Sequence, residues 1–146
     1  FHFEHIHILR QAFFQQALRV TAENSKAHHG LGMAYSRQGR TDLALAHLTE
    51  SLRIRKEDRV FNDLGAVLMG QRRFAEAERQ FREASRLKPG VARYQNNLGA
   101  SIAAQGRLEE AVRCFQAALR IDPQYATAAK NLELAERNRQ AAKPNR

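Results

Sequence analysis

The stretch NNLGASIAAQGRLEEAVRCFQAALRIDP, at residues 96–123, contains the pattern from which the fold can be predicted. Its second half places small and apolar residues at the spacing i, i+3, i+4, i+7 and i+8, which marks one face of an amphipathic helix. These residues are Ala111, Cys114, Phe115, Ala118 and Leu119. Gly106 suits the turn that follows a helix, and Pro123 ends the second helix. The pattern predicts helices over about residues 92–105 and 108–121.

The same frame returns along the chain. Leucine-glycine pairs recur 33 and then 34 positions apart, at Leu31-Gly32, Leu64-Gly65 and Leu98-Gly99, and Leu132 follows 34 positions later. In each second helix an alanine precedes a large apolar residue by four positions: Ala44 and Leu48, Ala77 and Phe81, Ala111 and Phe115. A glycine inside a helix costs about 1 kcal/mol of helix propensity. We therefore expect these glycines to make room for the alanines of the second helix.

Two positions depart from the frame. Arg72 stands where the other copies have Gly39 and Gly106, which predicts a distorted turn in the second copy. Lys56 stands where the other copies have Pro89 and Pro123, and the first copy is one residue shorter. The junction between the first and second copies is therefore expected to deviate.

The spacing and residue types resemble the tetratricopeptide repeat, a 34-residue unit patterned W-x2-L-G-x2-Y, then A-x3-F, then P. The match covers three copies, from about Ser25 to Tyr125. The resemblance implies an all-α fold, a right-handed superhelical solenoid of antiparallel helix pairs. We expect one domain over residues 1–146: a partial repeat (1–24), three repeats (25–57, 58–91 and 92–125), a capping helix (126–140) and a tail (141–146).

Both ends of the chain are irregular. Residues 8–21 repeat the second-helix pattern with Phe14 and Ala17, whereas residues 1–7 fit no repeat position. At the other end, the helix around Leu132 is polar on its outer side, as expected for a cap that stacks on one side only. The stretch Leu9–Gly32 looks like the start of the repeat tail on certain bacterial multi-spanning glycosyltransferases. A larger bacterial protein is therefore one interpretation.

The composition limits compartment and partner. The formal charge is +9, which favours acidic partners such as nucleic acid, an anionic membrane or an acidic protein. An ordinary solvated basic surface explains the same charge. No apolar run approaches the roughly 18 residues of a membrane span, and no signal peptide is evident. The single cysteine makes no internal disulfide. We expect a cytoplasmic location, and a periplasmic one stays open.

The sequence indicates no catalytic, cofactor or metal site. It has no phosphate-binding glycine loop, no G-x-S-x-G and no H-E-x-x-H motif. His2, His5 and His7 do not converge readily, and His28, at the tryptophan position of the repeat, is expected to pack rather than bind metal. Cys114 lies on the apolar helix face, where a thiol is inert. We expect a protein without enzymatic activity.

The resemblance also implies which residues face a partner, because the first helix of each repeat lines the concave surface in this family. The expected partner-binding residues are Lys26, His29, Met33, Arg37, Arg59, Asn62, Asp63, Arg93, Asn96, Asn97, Lys130 and Asn131. Among them Asp63, Asn97 and Asn131 form a ladder, with Asn62 and Asn96 beside it. An asparagine amide both donates and accepts, so the ladder suits a peptide backbone.

A row of cations, Lys26, Arg59 and Arg93, could receive acidic side chains. The carboxylate clamp of chaperone-binding relatives is not reproduced, because only Arg93 is apt and Asp63 would repel a carboxylate. The leading hypothesis is a scaffold that binds an extended or helical segment of another protein. The alternatives are a basic surface for nucleic acid or anionic membrane, the repeat tail of a membrane glycosyltransferase, and self-association through the incomplete first unit.

Overall fold

The computed structural model describes residues 2–20 and 24–144, with the backbone alone for residues 18–20. Throughout these residues the regular structure is helical. The contacts divide the chain into two compact units, residues Phe1–Val60 (unit 1) and Phe61–Arg146 (unit 2). The predicted all-α class is therefore confirmed.

Unit 1 contains α1 (His2–Val20), α2 (Ser25–Arg37), α3 (Thr41–Ile54) and the first residues of α4 (Asp58–Gly70). The helix α2 begins after Asn24, whose side chain accepts a hydrogen bond from the Ala27 amide at 3.1 Å. The α2–α3 hairpin is the core of this unit, with Ala44 and Leu48 fully buried.

The first helix, α1, starts at His2 and not near residue 8, so residues 2–7, which fit no repeat position, are helical. Several of its large apolar side chains face solvent: Phe3 is 81% exposed and Phe13 is 72% exposed. The Phe14 ring of α1 lies 4.0 Å from the position that a Cβ on Gly30 of α2 would take. The helix therefore contacts α2 while leaving much of its own apolar surface uncovered.

Unit 2 contains the rest of α4, then α5 (Phe74–Leu87), α6 (Ala92–Ala103), α7 (Leu108–Ile121) and α8 (Ala126–Ala141). The bounds of α7 are those predicted, whereas α6 ends two residues earlier than predicted. The helices α5 and α7 both end shortly before a proline, at Leu87 and Ile121. Proline restricts the residue before it to extended conformations, so neither helix continues.

Each hairpin has a glycine of the first helix at its closest approach to the second helix. The side chain nearest to a Cβ at this glycine is the large residue of the second helix. The expected contact with the alanine stays a prediction. A Cβ placed on Gly65 would lie 2.6 Å from the ring of Phe81, and one on Gly99 would lie 2.7 Å from the ring of Phe115. The ring occupies the space that glycine leaves empty, which brings the two helices close together.

The turns between first and second helices share one conformation. Gly39 and Gly106 have φ angles of 73° and 81°, and Arg72 has a φ of 60°. After Arg72, the amide of Arg73 donates to the carbonyl of Leu68 at 3.0 Å, and the other two turns have the same bond at equivalent positions. The prediction of a distorted second turn is therefore wrong, since this hydrogen bond holds an arginine in the left-handed region.

This shared turn makes the substitution Gly106→Ala a clean test of backbone strain. Nothing lies within 4 Å of a Cβ at Gly106, so the cost is that of a left-handed alanine alone. We expect the free energy of unfolding to fall by about 1–2 kcal/mol, measured by urea denaturation. The matched control is Gly70→Ala, at the end of α4, where φ is not positive and space is also free. There we expect a gain of up to about 1 kcal/mol. Equal effects of the two substitutions would contradict the strain explanation.

Candidate partner-binding site

One face of α6 is directed away from α7. Gly99 contacts α7, and on the other side of α6 the residues Arg93, Asn97 and Ala100 follow the spacing i, i+4, i+7. The same register on the neighbouring first helices adds Asp63 and Ala66 of α4, and Asn131 and Leu134 of α8. Lys130, which directly precedes Asn131, is included with them. We call these eight residues the unit-2 inner face. Arg93, Ala66, Lys130 and Leu134 are exposed, and the other four are half-buried.

Two asparagine pairs connect consecutive first helices on this face. The Nδ2 of Asn97 donates to the Oδ1 of Asn62 at 2.8 Å, which joins α6 to α4. The Nδ2 of Asn131 donates to the Oδ1 of Asn96 at 2.9 Å, which joins α8 to α6. The accepting residues are nearly enclosed, since Asn62 is 6% exposed and Asn96 is 4% exposed. The structure therefore pairs two members of the predicted ladder, Asn97 and Asn131, with the buried asparagines beside it. Asp63, the third member, belongs to neither pair.

Each pair contains polar side-chain atoms that make no hydrogen bond within the described residues. In the part of the chain that the structure describes, the Oδ1 atoms of Asn97 and Asn131 accept no hydrogen bond. In the same residues, the Nδ2 atoms of Asn62 and Asn96 donate none. These Nδ2 atoms are not sealed from solvent, since they are not among the fully enclosed side-chain atoms without a partner in the described residues. The two pairs thus offer an acceptor and a donor each, arranged along one face.

The remaining predicted residues lie in unit 1. Lys26, His29, Met33 and Arg37 are on α2, and Arg59 is in the first turn of α4. Lys26, Arg37 and Arg59 are exposed, whereas His29 and Met33 are half-buried. The cationic residues of the predicted set, apart from Arg93 and Lys130, therefore lie on the helices of unit 1.

A histidine pair in unit 1 was missed by the sequence analysis. The Nδ1 of His28 lies 3.1 Å from the Nδ1 of His47 on α3, and the ring centroids are 5.3 Å apart. Two nitrogens that face each other in this way share one proton, so their lone pairs do not converge on a metal. His47 also stacks on Tyr35 at 5.4 Å. Burial, followed by the charge of His28, lowers the pKa of His47. The contact confirms that His28 packs within the hairpin.

The most elaborate polar cluster of unit 2 surrounds Glu78 of α5. Its carboxylate accepts hydrogen bonds from Arg82 at 2.8 Å, Gln105 at 2.8 Å and Arg107 at 2.6 Å. Arg82 also contacts Glu110 at 2.6 Å. Burial acts to raise the pKa of Glu78, but the bonds from Gln105, Arg107 and Arg82 prevail and lower this pKa to about 2. The cluster ties α5 to the α6–α7 turn and to α7.

The remaining chemical candidates are unremarkable in their geometry. Cys114 is half-buried, and burial raises the pKa of its thiol, which disfavours the reactive thiolate. Within residues 2–20 and 24–144, no three histidine, cysteine or acidic side chains come together in a way that would hold a metal. Among the described helices, none has both the length and the apolar character required to span a bilayer.

The fold resembles that of several solved proteins. YrrB, a TPR protein described as having an unusual peptide-binding site, superposes with a TM-score of 0.83 over 96% of this chain and 74% of its own, at 23% identity. MamA gives a TM-score of 0.82 over 87% and 75% of the two chains, at 18% identity. The first TPR domain of Spaghetti, solved with an HSP90 peptide, gives 0.75 over 78% and 91%, at 21% identity. At these identities the likeness shows the fold alone.

Sequence comparison leads to the same family. A TPR repeat-containing protein of Pseudomonas aeruginosa is 38% identical over 76 residues, which cover 51% of this chain. The chain spans 31% of the length of that relative. The tetratricopeptide-repeat family matches at residues 27–60 and again at residues 62–126. Together with the glycine-centred hairpins, these matches show that the chain belongs to the tetratricopeptide-repeat family.

Proposed function

We propose that the unit-2 inner face binds a peptide segment of a partner protein, and that the chain acts as a non-enzymatic scaffold. The observation that carries this proposal is the pair of asparagine contacts, Asn62–Asn97 and Asn96–Asn131, with unused donors and acceptors beside each contact. These groups reach solvent, so a peptide can take the hydrogen bonds that water otherwise makes with them.

The surroundings of the pairs support the same proposal. Ala66 and Ala100 carry only methyl groups, so a peptide can approach the asparagine amides closely. Arg93 and Lys130 supply positive charge at the exposed rim of the face. Two of the structurally similar proteins are associated with peptide binding. YrrB has an unusual peptide-binding site, and the Spaghetti domain was solved with an HSP90 peptide. A peptide ligand fits the chemistry of this face.

The test compares the immobilised chain with its Asp63/Asn97/Asn131→Ala variant in lysate from the source organism. We expect the wild type to retain a protein at moderate salt that the variant does not retain. The matched control is Gln95→Ala, an amide on the outer side of α6 that donates to Ser85 at 2.7 Å. This control should bind as the wild type does.

The main competing function is a basic surface that binds nucleic acid or anionic membrane, favoured by the formal charge of +9. Such binding weakens steeply with salt. Nucleic acid captured equally by the wild type and the triple variant, and released at moderate salt, would mean that the inner face is not the working surface.

A further inference from the structure

A groove in unit 2 lies on the side of α6 that is directed away from the unit-2 inner face. Its residues on α6 are Gln95 and Leu98, whereas Arg93, Asn97 and Ala100 of the inner face occupy the opposite side of that helix. The groove has a volume of about 620 Å³, within the range of sites that hold a ligand. We call it the outer groove, and its lining includes Arg82 and Arg86 of α5, Leu98 of α6, and Glu110, Arg113 and Cys114 of α7.

We propose that the outer groove binds a segment of a partner protein in which an acidic side chain lies beside an apolar one. Arg113 receives the carboxylate, and Leu98 and Cys114 contact the apolar side chain. The outer groove and the inner face share no residue, so each can bind a ligand of its own.

The charge of Arg113 is left uncompensated because its local acceptor is already occupied. Glu110 stands three positions before Arg113 on α7, at the spacing of a helical ion pair. The carboxylate of Glu110 instead accepts hydrogen bonds from Arg82 at 2.6 Å and from Arg107. Within the residues that the structure describes, Arg113 makes no hydrogen bond and no ion pair. Its guanidinium is therefore available to a ligand.

The other charges of the groove favour a single carboxylate over a phosphate. Arg86 is paired with Glu83 on α5 at 2.8 Å, so it adds no free positive charge. A guanidinium binds a carboxylate through two parallel hydrogen bonds, and Arg113 can offer both. Glu83 and Glu110 also line the groove, and they repel a doubly charged phosphate more strongly than a singly charged carboxylate. The groove thus suits the side chain of an aspartate or a glutamate.

The surface beside Arg113 is apolar. Leu98 is 5% exposed, and the half-buried Cys114 directly follows Arg113. Burial raises the pKa of the Cys114 thiol, so this side chain stays neutral and behaves as a small apolar group. An ion pair at an exposed arginine is screened by water and adds little affinity by itself. An apolar ligand side chain next to the carboxylate supplies the remaining affinity by covering Leu98 and Cys114.

The single cysteine of the chain gives the outer groove its own chemical probe. Peptides are selected from a random phage library on the Asp63/Asn97/Asn131→Ala variant, which lacks the proposed inner-face ligand groups, and are then tested on the wild type. We expect peptides with an acidic residue beside a large apolar one. At about ten times the Kd, such a peptide should slow the alkylation of Cys114 by N-ethylmaleimide about tenfold.

Two outcomes of this selection would overturn the outer groove as a binding site. One is that no peptide with the acidic and apolar pair is selected, and the other is that such peptides leave the alkylation of Cys114 unchanged. Neither outcome affects the function proposed for the inner face, because the selection uses a variant without its ligand groups. A third outcome would reduce the site to one for small anions, which is that N-acetylglutamate protects Cys114 at the same concentration as the peptide.

A charge exchange tests the role of Arg113. We expect Arg113→Glu to weaken a protecting peptide about tenfold, and replacement of the acidic residue of the peptide by lysine to restore its binding to this variant. The matched control is Arg79→Glu, at the equivalent position of the preceding repeat, which is exposed and does not line the groove. It should change the affinity less than about twofold. Equal losses in the two variants, or no restoration by lysine, would mean that the peptide responds to the basic surface in general.

A neutral variant guards against a folding defect in Arg113→Glu. Arg113 is exposed and makes no internal ion pair in the described residues, so Arg113→Gln should keep the circular dichroism spectrum and the urea midpoint of the wild type. We expect Arg113→Gln to weaken the peptide about threefold, because it removes the attraction without adding repulsion. Unchanged affinity in a folded Arg113→Gln variant would refute the assignment of the carboxylate to Arg113.

Discussion

Replacing Phe115 with alanine is expected to lower the free energy of unfolding by about 3–5 kcal/mol. The ring is 2% exposed, and a ring carbon lies 2.7 Å from the Cβ position of Gly99. Removing it leaves a cavity between α6 and α7 that neither helix can fill, because the residue opposite is a glycine. Urea denaturation followed by circular dichroism measures the change.

The matched control for this prediction is Phe13→Ala, the same chemical change on α1. Phe13 is 72% exposed, so we expect its loss to alter stability by no more than about 0.5 kcal/mol. The reverse substitution, Gly99→Ala, should also destabilise the chain even though alanine is the better helix former. A stable Gly99→Ala variant would show that the ring of Phe115 moves easily and that the close contact is not what holds the hairpin.

The second large effect is expected for Glu78→Gln, which should lower the free energy of unfolding at neutral pH by about 3 kcal/mol. The carboxylate accepts hydrogen bonds from Arg82, Gln105 and Arg107, and its pKa falls from 4.5 to about 2. A glutamine retains the shape but not the charge, and leaves both guanidinium groups with a weaker acceptor. The measurement is again urea denaturation of the wild type and the variant.

The pH dependence of this difference follows from the direction of the pKa shift. Because the folded-state pKa lies below the unfolded value, the stabilisation by Glu78 is complete above pH 4.5 and is lost as the pH falls towards 2. The difference between wild type and Glu78→Gln should therefore narrow over that range. Glu83→Gln, a neighbour on α5 whose side chain is 41% exposed, is the control and should cost at most about 1 kcal/mol. A difference that stays constant with pH would contradict the assignment.

Much of the fold could be predicted from local patterns. The interval between leucine-glycine pairs identified the repeat, and the apolar stripe through Ala111 and Phe115 located α7 at its observed bounds. The positive φ of Gly39 and Gly106 was also expected from their place between helices. These features depend on residues close together in the chain, where the helical period and the conformational freedom of glycine act directly.

The contacts between helices became known only from the tertiary structure. Arg72 adopts the turn expected of glycine because the Arg73–Leu68 hydrogen bond imposes it. The position of Asn62 and Asn96 was predicted from family resemblance, but their pairing with amides 35 positions away was not. The cluster around Glu78 joins residues separated by up to 29 positions. Which of many polar side chains meet is set by how the helices pack and which rotamers fit, and neither is encoded in the local pattern of residues.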